Sequence, residues 1–575
     1  MAISTPLQSP GIFVREIDLT GVVPNVPTST GGFVGEFNWG PVEETQLIST
    51  ETGLVEAFGS PDSDNTVEWH SAAYFLRYSN ELQVVRVVES ATNGFDVASG
   101  AAAPLVKNRD NFDNQISALN DSDHSFIGKY PGEVGNSISI HWCGADSSGD
   151  SDFNAWTYNT SFDTAPGTSA HATDAGASGD EVHVVVVDRL GELSGTRGQV
   201  LETFPFVSLA KGALSADGSS NYILDRINNG SKYTWMAGFG TGNFSVQAGT
   251  NAASGKDYAQ SGVVTKSINF TGGSNGNALG VGDYATGFDL FEDKENLLID
   301  FLIAPGMNAR ADQTSVVNDC VAIAQGIRKD CVVVTSPARS DIINNTDPTT
   351  STVTTGNTFT SSSYLIVDNN YLKVYDKFND QYIYIPAASS VAGIMAATDA
   401  VAAPWFSPAG PRRGQMLGIT SLAYSPNQTQ RDTLYKAGIN PIANIPGQGV
   451  MLFGDKTKLS RPSAFDRINV RRLFLGIERA ISVAARNVMF EFNDEFTRAE
   501  FKNVIEPFLR EIQGRRGITD FRVVCDESNN TPAVIDRNEF VCSIFVKPAR
   551  SINFVTLNFV AVRTGVDFEE VVGTV

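Results

Sequence analysis

No run of about 18 apolar residues occurs in the chain, so nothing in it reads as a membrane-spanning helix and no membrane insertion is expected. It opens Met1-Ala2-Ile3-Ser4-Thr5-Pro6, without the basic start and apolar core of an export leader, which points to synthesis in a cytoplasm. Cysteine is scarce. Cys143, Cys320, Cys331, Cys525 and Cys542 are odd in number and lack any Cys-x-x-Cys spacing, so buried free thiols in a reducing compartment fit better than a disulfide framework. Positive charge is short as well, with 42 Lys and Arg against 64 Asp and Glu. The deficit is local: residues 461–575 hold 16 of each sign, and residues 1–460 carry 26 against 48. An acidic bulk argues against nucleic acid as the main partner, because phosphate binding needs clustered positive charge. It suits the solvated surface of something that must stay soluble before it assembles. No internal repeat of fixed period is present.

What the sequence does hold is clearest between Arg461 and Val562. From Ile468 onward, Val470, Leu473, Phe474, Ile477, Ile481, Ala484 and Val488 recur at three and four, predicting a helix with one buried face. Arg472, Arg479 and Arg486 stand seven apart on what is expected to be its wet, basic side, with Arg471, Glu478 and Ser482 beside them. Thr497-x-x-Glu500 has the form of a capping box, and Phe501, Val504, Ile505, Phe508, Leu509 and Ile512 then repeat at helical spacing. Pro507 predicts a kink and Gly514 a stop. Phe521–Cys525, Phe540–Lys547 and Ile552–Val562 read as strands, so the region predicts a compact α/β unit.

The wording of several blocks carries more than their periodicity. Asn469-Val470-Arg471-Arg472-Leu473, Phe490-Glu491-Phe492-Asn493, Gly517 to Asn530 with Thr531-Pro532, and Ile544 to Phe559 closely resemble the C-terminal core of contractile-tail sheath proteins of bacteriophages. Ser390 to Asp399 with Pro404 to Gly410 resembles the central block of that family. Ser9 to Glu16, Gly32-Phe33-Val34-Gly35 and Trp39-Gly40-Pro41 resemble its N-terminus. The three blocks occur in order, and the region between them matches poorly.

The resemblance implies an α+β, mixed multidomain fold, with an α/β core built from both chain ends and β-rich domains inserted on its surface. Residues 1–22 are expected to form an arm, since Pro6, Pro10 and Gly11 oppose helix while Ile12 to Ile17 is β-prone. Extended, such an arm reaches roughly 65 Å. On the residues alone, folding back and crossing to a neighbour are equally open; sheath subunits exchange terminal strands, so the resemblance implies crossing. Residues 23–89 open the core, with a strand at Gly32–Phe37, a helix near Val67–Tyr78 and a strand at Leu82–Val88. Residues 90–188, rich in Gly, Ala, Ser, Asp and Thr, predict a β-rich insertion ending in the strand Glu181–Asp188. Residues 189–363 form a second, mixed insertion. Within it Leu297–Ala304, a helix at Thr314–Arg328 and Cys331–Ser336 predict a parallel strand pair, and Asn344 to Ser363 predicts an exposed loop. Residues 364–460 return to the core, 461–562 make a C-terminal α/β domain that the resemblance places against a tube, and 563–575 form a second arm.

Four motifs suggest chemistry and fail on inspection. Gly272-Gly273-Ser274-Asn275-Gly276 matches G-x-S-x-G, the nucleophile elbow of esterases, in which the histidine follows the serine. Here His70, His124, His141, His171 and His183 all precede it, so a turn is expected. Gly449 to Thr457 is one residue from a P-loop, but Asp455 puts negative charge where phosphate oxygens would lie. His141-x-Cys143 offers two metal ligands with no third at useful spacing. Asp146, Asp150 and Asp152 lack the glutamate that closes an EF-hand loop. No catalytic, cofactor or metal residue is assigned.

By resemblance the chain is a structural, non-enzymatic sheath subunit, forming hexameric rings stacked helically around an inner tube in a virion assembled in the host cytoplasm. Its implied partners are further copies of itself, the tail tube protein, and baseplate and tail terminator proteins. Arms would add strands to neighbouring sheet edges through Ile12, Phe13, Val14 and Ile17 at one end and Val566, Phe568 and Val571 at the other. Arg472, Arg479 and Arg486 would face the tube. A head-to-tail contact that does not close on itself gives an open helical array. Contraction would move folded domains as rigid bodies without ATP. The sheath of a related contractile injection particle is the nearest alternative. A serine hydrolase built on Ser274 and a surface-adhesion β-protein remain open as other classes.

Overall fold

The computed structural model describes residues 28–96, 103–119, 124–146, 151–240, 243–259 and 264–553. The arm residues Ile12, Phe13, Val14, Ile17, Val566, Phe568 and Val571 lie outside this set. Among the described residues the chain divides into two units, one of 28–404 with 408–479 and one of Trp405–Ser407 with 480–553.

In the first unit five strands run parallel: β1 (Gly31–Gly35), β3 (Leu82–Arg86), β11 (Phe301–Ile303), β12 (Val332–Thr335) and β13 (Leu365–Val367). Strand β2 (Thr45–Ile48) adds an antiparallel edge, giving the order β13-β12-β11-β1-β3-β2. Successive side chains of a strand point to opposite faces, and the sequence uses both. Phe33, Val84, Phe301, Val332, Val334 and Ile366 enter one core, while Val34, Val85, Leu302, Val333 and Val367 enter another. Helices α1 (Thr66–Phe75) and α4 (Ala388–Val401) cover the first face with Trp69, Ala72, Val391 and Met395. Helix α2 (Arg310–Ala322) covers the second with Val316, Val317 and Cys320. Burial on both faces explains why these strands are continuous apolar runs. The approach is close: a Cβ at Gly31 would meet the Phe75 ring at 2.8 Å.

The strand–helix–strand expected between Leu297 and Ser336 is present and parallel. Two expectations need correction. The core sheet joins residues 31–86 to 301–367, since parallel neighbours need crossover connections, which α1 supplies between β1 and β3 and α2 between β11 and β12; among the described residues the C-terminal stretch forms a separate two-stranded sheet. Asn344 to Ser363 is no exposed loop either. It contains helix α3 (Pro348–Gly356), whose N-cap Asp347 accepts from the Thr350 N–H at 3.2 Å and whose Thr349, Thr352 and Thr355 are buried.

A second, antiparallel sheet gathers β4 (Asn93–Asp96), β5 (Phe126–Pro131), β6 (Ile138–Gly144), β7 (Glu181–Asp188), β8 (Gln199–Ser208), β9 (Thr234–Met236) and β10 (Thr265–Thr271) in the order β8-β7-β6-β10-β4-β5-β9. Strands β7 and β8 are hydrogen-bonded neighbours, so a division between residues 188 and 189 cuts through one sheet. Trp142 and Phe244 stack at 4.9 Å in its core. Arg86 ties this sheet to the first: its guanidinium donates to the carbonyls of Phe37 (2.7 Å), Gly40 (2.8 Å) and Pro131 (2.7 Å). Burial lowers its pKa to about 9. Smaller pieces complete the unit: β14 (Tyr371–Asp376), β15 (Gln381–Pro386) and β16 (Ser421–Leu422) form one sheet, and β17 (Ile442–Ile445) with β18 (Gly449–Leu452) another.

Candidate assembly interface

Helix α5 (Ile468–Arg486) carries the arginine stripe, and its first turns are buried all round: Ile468, Val470, Leu473 and Leu475 are within a few per cent of full burial, and so are Arg471 and Arg472. Arg472 pairs both carboxylate oxygens of Asp399, one at 2.7 Å, and donates to the carbonyls of Met395 (3.1 Å) and Thr28 (3.2 Å). Arg479 donates to Asp300 at 2.6 Å and to the carbonyls of Ile299 (3.1 Å) and Asp330 (3.0 Å). The Thr30 N–H donates to the other Asp300 oxygen at 3.0 Å, and Thr28 Oγ1 to Asp399 at 2.6 Å. Burial pushes Asp300 up to about 6 against the pull of Arg479. The cavity among these groups, about 10 Å³, holds no more than a water-sized group. The expected wet face is therefore wrong for Arg472 and Arg479. Their charges are desolvated but fully bonded, and they join α5 to the entries of β1 and β11 and to α4. Arg471 is also buried, against the Tyr364 ring at 4.1 Å. Arg486 alone of the stripe is exposed.

The second unit is built on helix α6 (Glu495–Gly514), which starts earlier than the Thr497 capping pattern suggests. Asp494 is the cap, accepting from the Thr497 N–H at 2.8 Å. The helix runs through Pro507 to Gly514 and buries Phe501, Ile505, Leu509 and Ile512. Beyond it, β19 (Ile518–Val524) and β20 (Ser543–Pro548) pair antiparallel, with Arg522 opposite Phe545 and Val523 opposite Ile544. Gly517 makes the tight approach possible, since a Cβ there would meet Ile512 at 2.6 Å and the Trp405 ring at 3.0 Å. Among the described residues no third strand joins this sheet. Two strands alone are marginally stable in water, and Phe545 is 61% exposed on the outer face.

Sequence reasoning missed how the loop before α6 is presented. Phe490 is fully exposed and sits at φ 70, in the left-handed region, with Phe492 and Phe496 exposed beside it. The segment is not loose. Asn493 Nδ2 donates to the Glu539 carbonyl at 2.8 Å and receives Arg498 on its own Oδ1 at 2.9 Å. Asn530 is buried, accepts from the Val541 N–H and donates to the Val541 carbonyl, both at 2.8 Å. The signal was available in the Phe-x-Phe-Asn wording, which puts bulky apolar rings next to a polar residue that must be anchored. Elsewhere the G-x-S-x-G and P-loop look-alikes are a turn and a strand end, and His141 and Cys143 lie in β6. Ser274 accepts from the Gly276 N–H at 3.1 Å between positive-φ glycines at 272 and 276, and Asp455 is buried on Arg467 at 3.0 Å. Among the described residues no group of three or more His, Cys, Asp or Glu is arranged to hold a metal, and no helix is long and apolar enough to cross a membrane.

A model of the phage tail sheath protein central domain matches residues 277–458, and one of the phage tail sheath C-terminal domain matches 460–561. The tail sheath protein of Vibrio phage KVP40 is 33% identical across 99% of this chain and 100% of its own. That of Enterobacteria phage T4 is 31% identical across 99% of both. Both alignments run through the middle region, where short blocks alone gave no match. The fold is shared with sheath tail proteins of Listeria innocua (12% identity, TM-score 0.52, 91% of this chain and 96% of that one) and Desulfitobacterium hafniense (13%, 0.50, 94% and 100%). Two family models over consecutive stretches and relatives of this identity along nearly the whole length agree: the chain belongs to the tail sheath proteins of contractile bacteriophage tails.

Proposed function

We propose that this structural protein polymerises as stacked hexameric rings around a tail tube, and that contraction of the lattice drives the tube through the host envelope for genome ejection. The observation that carries the reading is the β19–β20 pair, which has two strands, exposed apolar side chains and no third strand among the described residues. Arms from neighbouring copies complete it. Ile12, Phe13, Val14 and Ile17 supply one added strand and Val566, Phe568 and Val571 another, main-chain hydrogen bonds giving affinity and alternate side chains register. Rigid units joined by such strands can shift as bodies while the mesh stays continuous. Arg486, exposed near the end of α5, is the member of the stripe left for a tube contact. Baseplate and terminator proteins would bound the array at its ends.

The test is negative-stain microscopy of the purified chain with and without residues 1–20. The full chain forms hollow cylinders, and the truncated chain stays a folded monomer. Cylinders of normal length from the truncated chain would refute the strand-exchange step; a full chain that stays single at every concentration, with or without a tube, would remove the whole reading.

A further inference from the structure

The β19–β20 ladder ends at the pair Val524 and Ser543. The next residues on the two strands are Cys525 and Cys542. Residues that follow a paired position in antiparallel strands stay opposite each other, about 4.5–5.5 Å apart at Cα, which a disulfide can span. The side chains converge as well. The two thiols are near enough that each perturbs the other's titration, and the Cys525 thiol donates to the Val541 carbonyl at 3.9 Å. Asn530 fixes that part of the loop through both of its bonds to Val541. Both thiols are free; Cys525 is buried and Cys542 partly open, which leaves a way in for a small reagent. The other neighbouring cysteines, Cys320 and Cys331, are sealed in the core against α2 and β12.

We propose that Cys525 and Cys542 form a dithiol modification site that closes to an intramolecular disulfide with a small two-electron oxidant of the diazene or disulfide class. With a diazene, one sulfur adds to the N=N bond and the second displaces it. Both S–H bonds break and one S–S bond forms, and two electrons and two protons pass to the nitrogens, giving the hydrazine. Burial raises both thiols, Cys542 to about 12, while Lys502 pulls the other way, so closure is slow at neutral pH and faster in alkali. In a reducing cytoplasm the pair stays open. After release into an oxidising medium the bond ties the loose end of the two-stranded sheet. The inference is independent of sheath assembly, because it is read on the isolated chain.

The experiment treats the full-length chain with diamide and counts free thiols. The count falls from five to three, one cross-link between Cys525 and Cys542 is found by non-reducing peptide mapping, and dithiothreitol restores all five. Cys525→Ser and Cys542→Ser each hold their remaining four thiols through the same treatment. The proposal is overturned if the native count stays at five under diamide that cross-links the urea-unfolded chain. A cross-link mapped to Cys320–Cys331, or between two chains, overturns it equally, and the wild-type map decides even where a serine variant misfolds.

Discussion

Arg472→Met separates a buried ion pair from a solvent-exposed stripe. The side chain is 5% exposed and its Asp399 partner 8%, and the guanidinium also serves two carbonyls and lies 4.8 Å from the Phe301 ring centroid. Removing it leaves the Asp399 carboxylate buried with Thr28 Oγ1 as its remaining hydrogen-bond donor at that node. Breaking one partner of a buried pair costs about 3–5 kcal/mol, or roughly 10²- to 10⁴-fold in the folding constant. An arginine on a wet helix face would cost within about 0.5 kcal/mol. The two readings therefore differ by several-fold in free energy, well outside the error of a urea titration.

Urea unfolding of the isolated chain, followed by circular dichroism, makes the comparison, with Arg486→Met as the exposed control. Hydrogen exchange in β1, β11 and α4 localises the loss, since a chain of two units need not unfold in one step. The double variant Arg472→Met with Asp399→Leu should recover most of the stability, because the cost lies in the orphaned charge and an apolar replacement of the pair is often neutral. If Arg472→Met behaves like Arg486→Met, or if the double variant is weaker than the single one, the buried-node argument fails.

Asp368 supplies a pH signature. Burial raises its carboxyl to about 7 from an ordinary 3.8, against hydrogen bonds from the Asn370 N–H (3.0 Å) and Ser336 Oγ (2.8 Å). The folded chain holds this proton more tightly than the unfolded one, so the stability it contributes is complete below about pH 4 and fades as pH rises through 7. The stability difference between Asp368→Asn and the parent should therefore change from about pH 4 to about pH 7 and level off above it; a constant difference counts against it. Phe490→Asn should relieve its left-handed backbone and stabilise the isolated chain by about 1 kcal/mol in urea. The same change should raise the concentration needed for self-assembly, and cylinders at unchanged concentration would separate the exposed ring from any interface.

Local pattern carried the elements well where period and composition agreed. The strand Glu181–Asp188 appears over the residues its β-branched run marks, and the Leu297–Ser336 unit is parallel as expected. It failed over 348–356 because threonine has poor helix propensity and reads as loop, although Asp347-Pro348 is a helix start and Thr349, Thr352 and Thr355 share one face. The stripe on α5 shows the deeper limit. Spacing at seven puts Arg472, Arg479 and Arg486 in line, but periodicity says which side chains share a face and not what lies against it.

The sequence by itself determined the family and the strand–helix–strand unit between Leu297 and Ser336, because both are written in short stretches of residues. Tertiary structure alone decided that Asp399 and Asp300, 73 and 179 residues away in the chain, meet Arg472 and Arg479 and neutralise them. It also decided that strands between 93 and 271 share one sheet and that, among the described residues, β19 pairs with β20 alone. Those outcomes depend on which segments become neighbours after loops close, a choice made by summed burial across the whole chain rather than by any window of it.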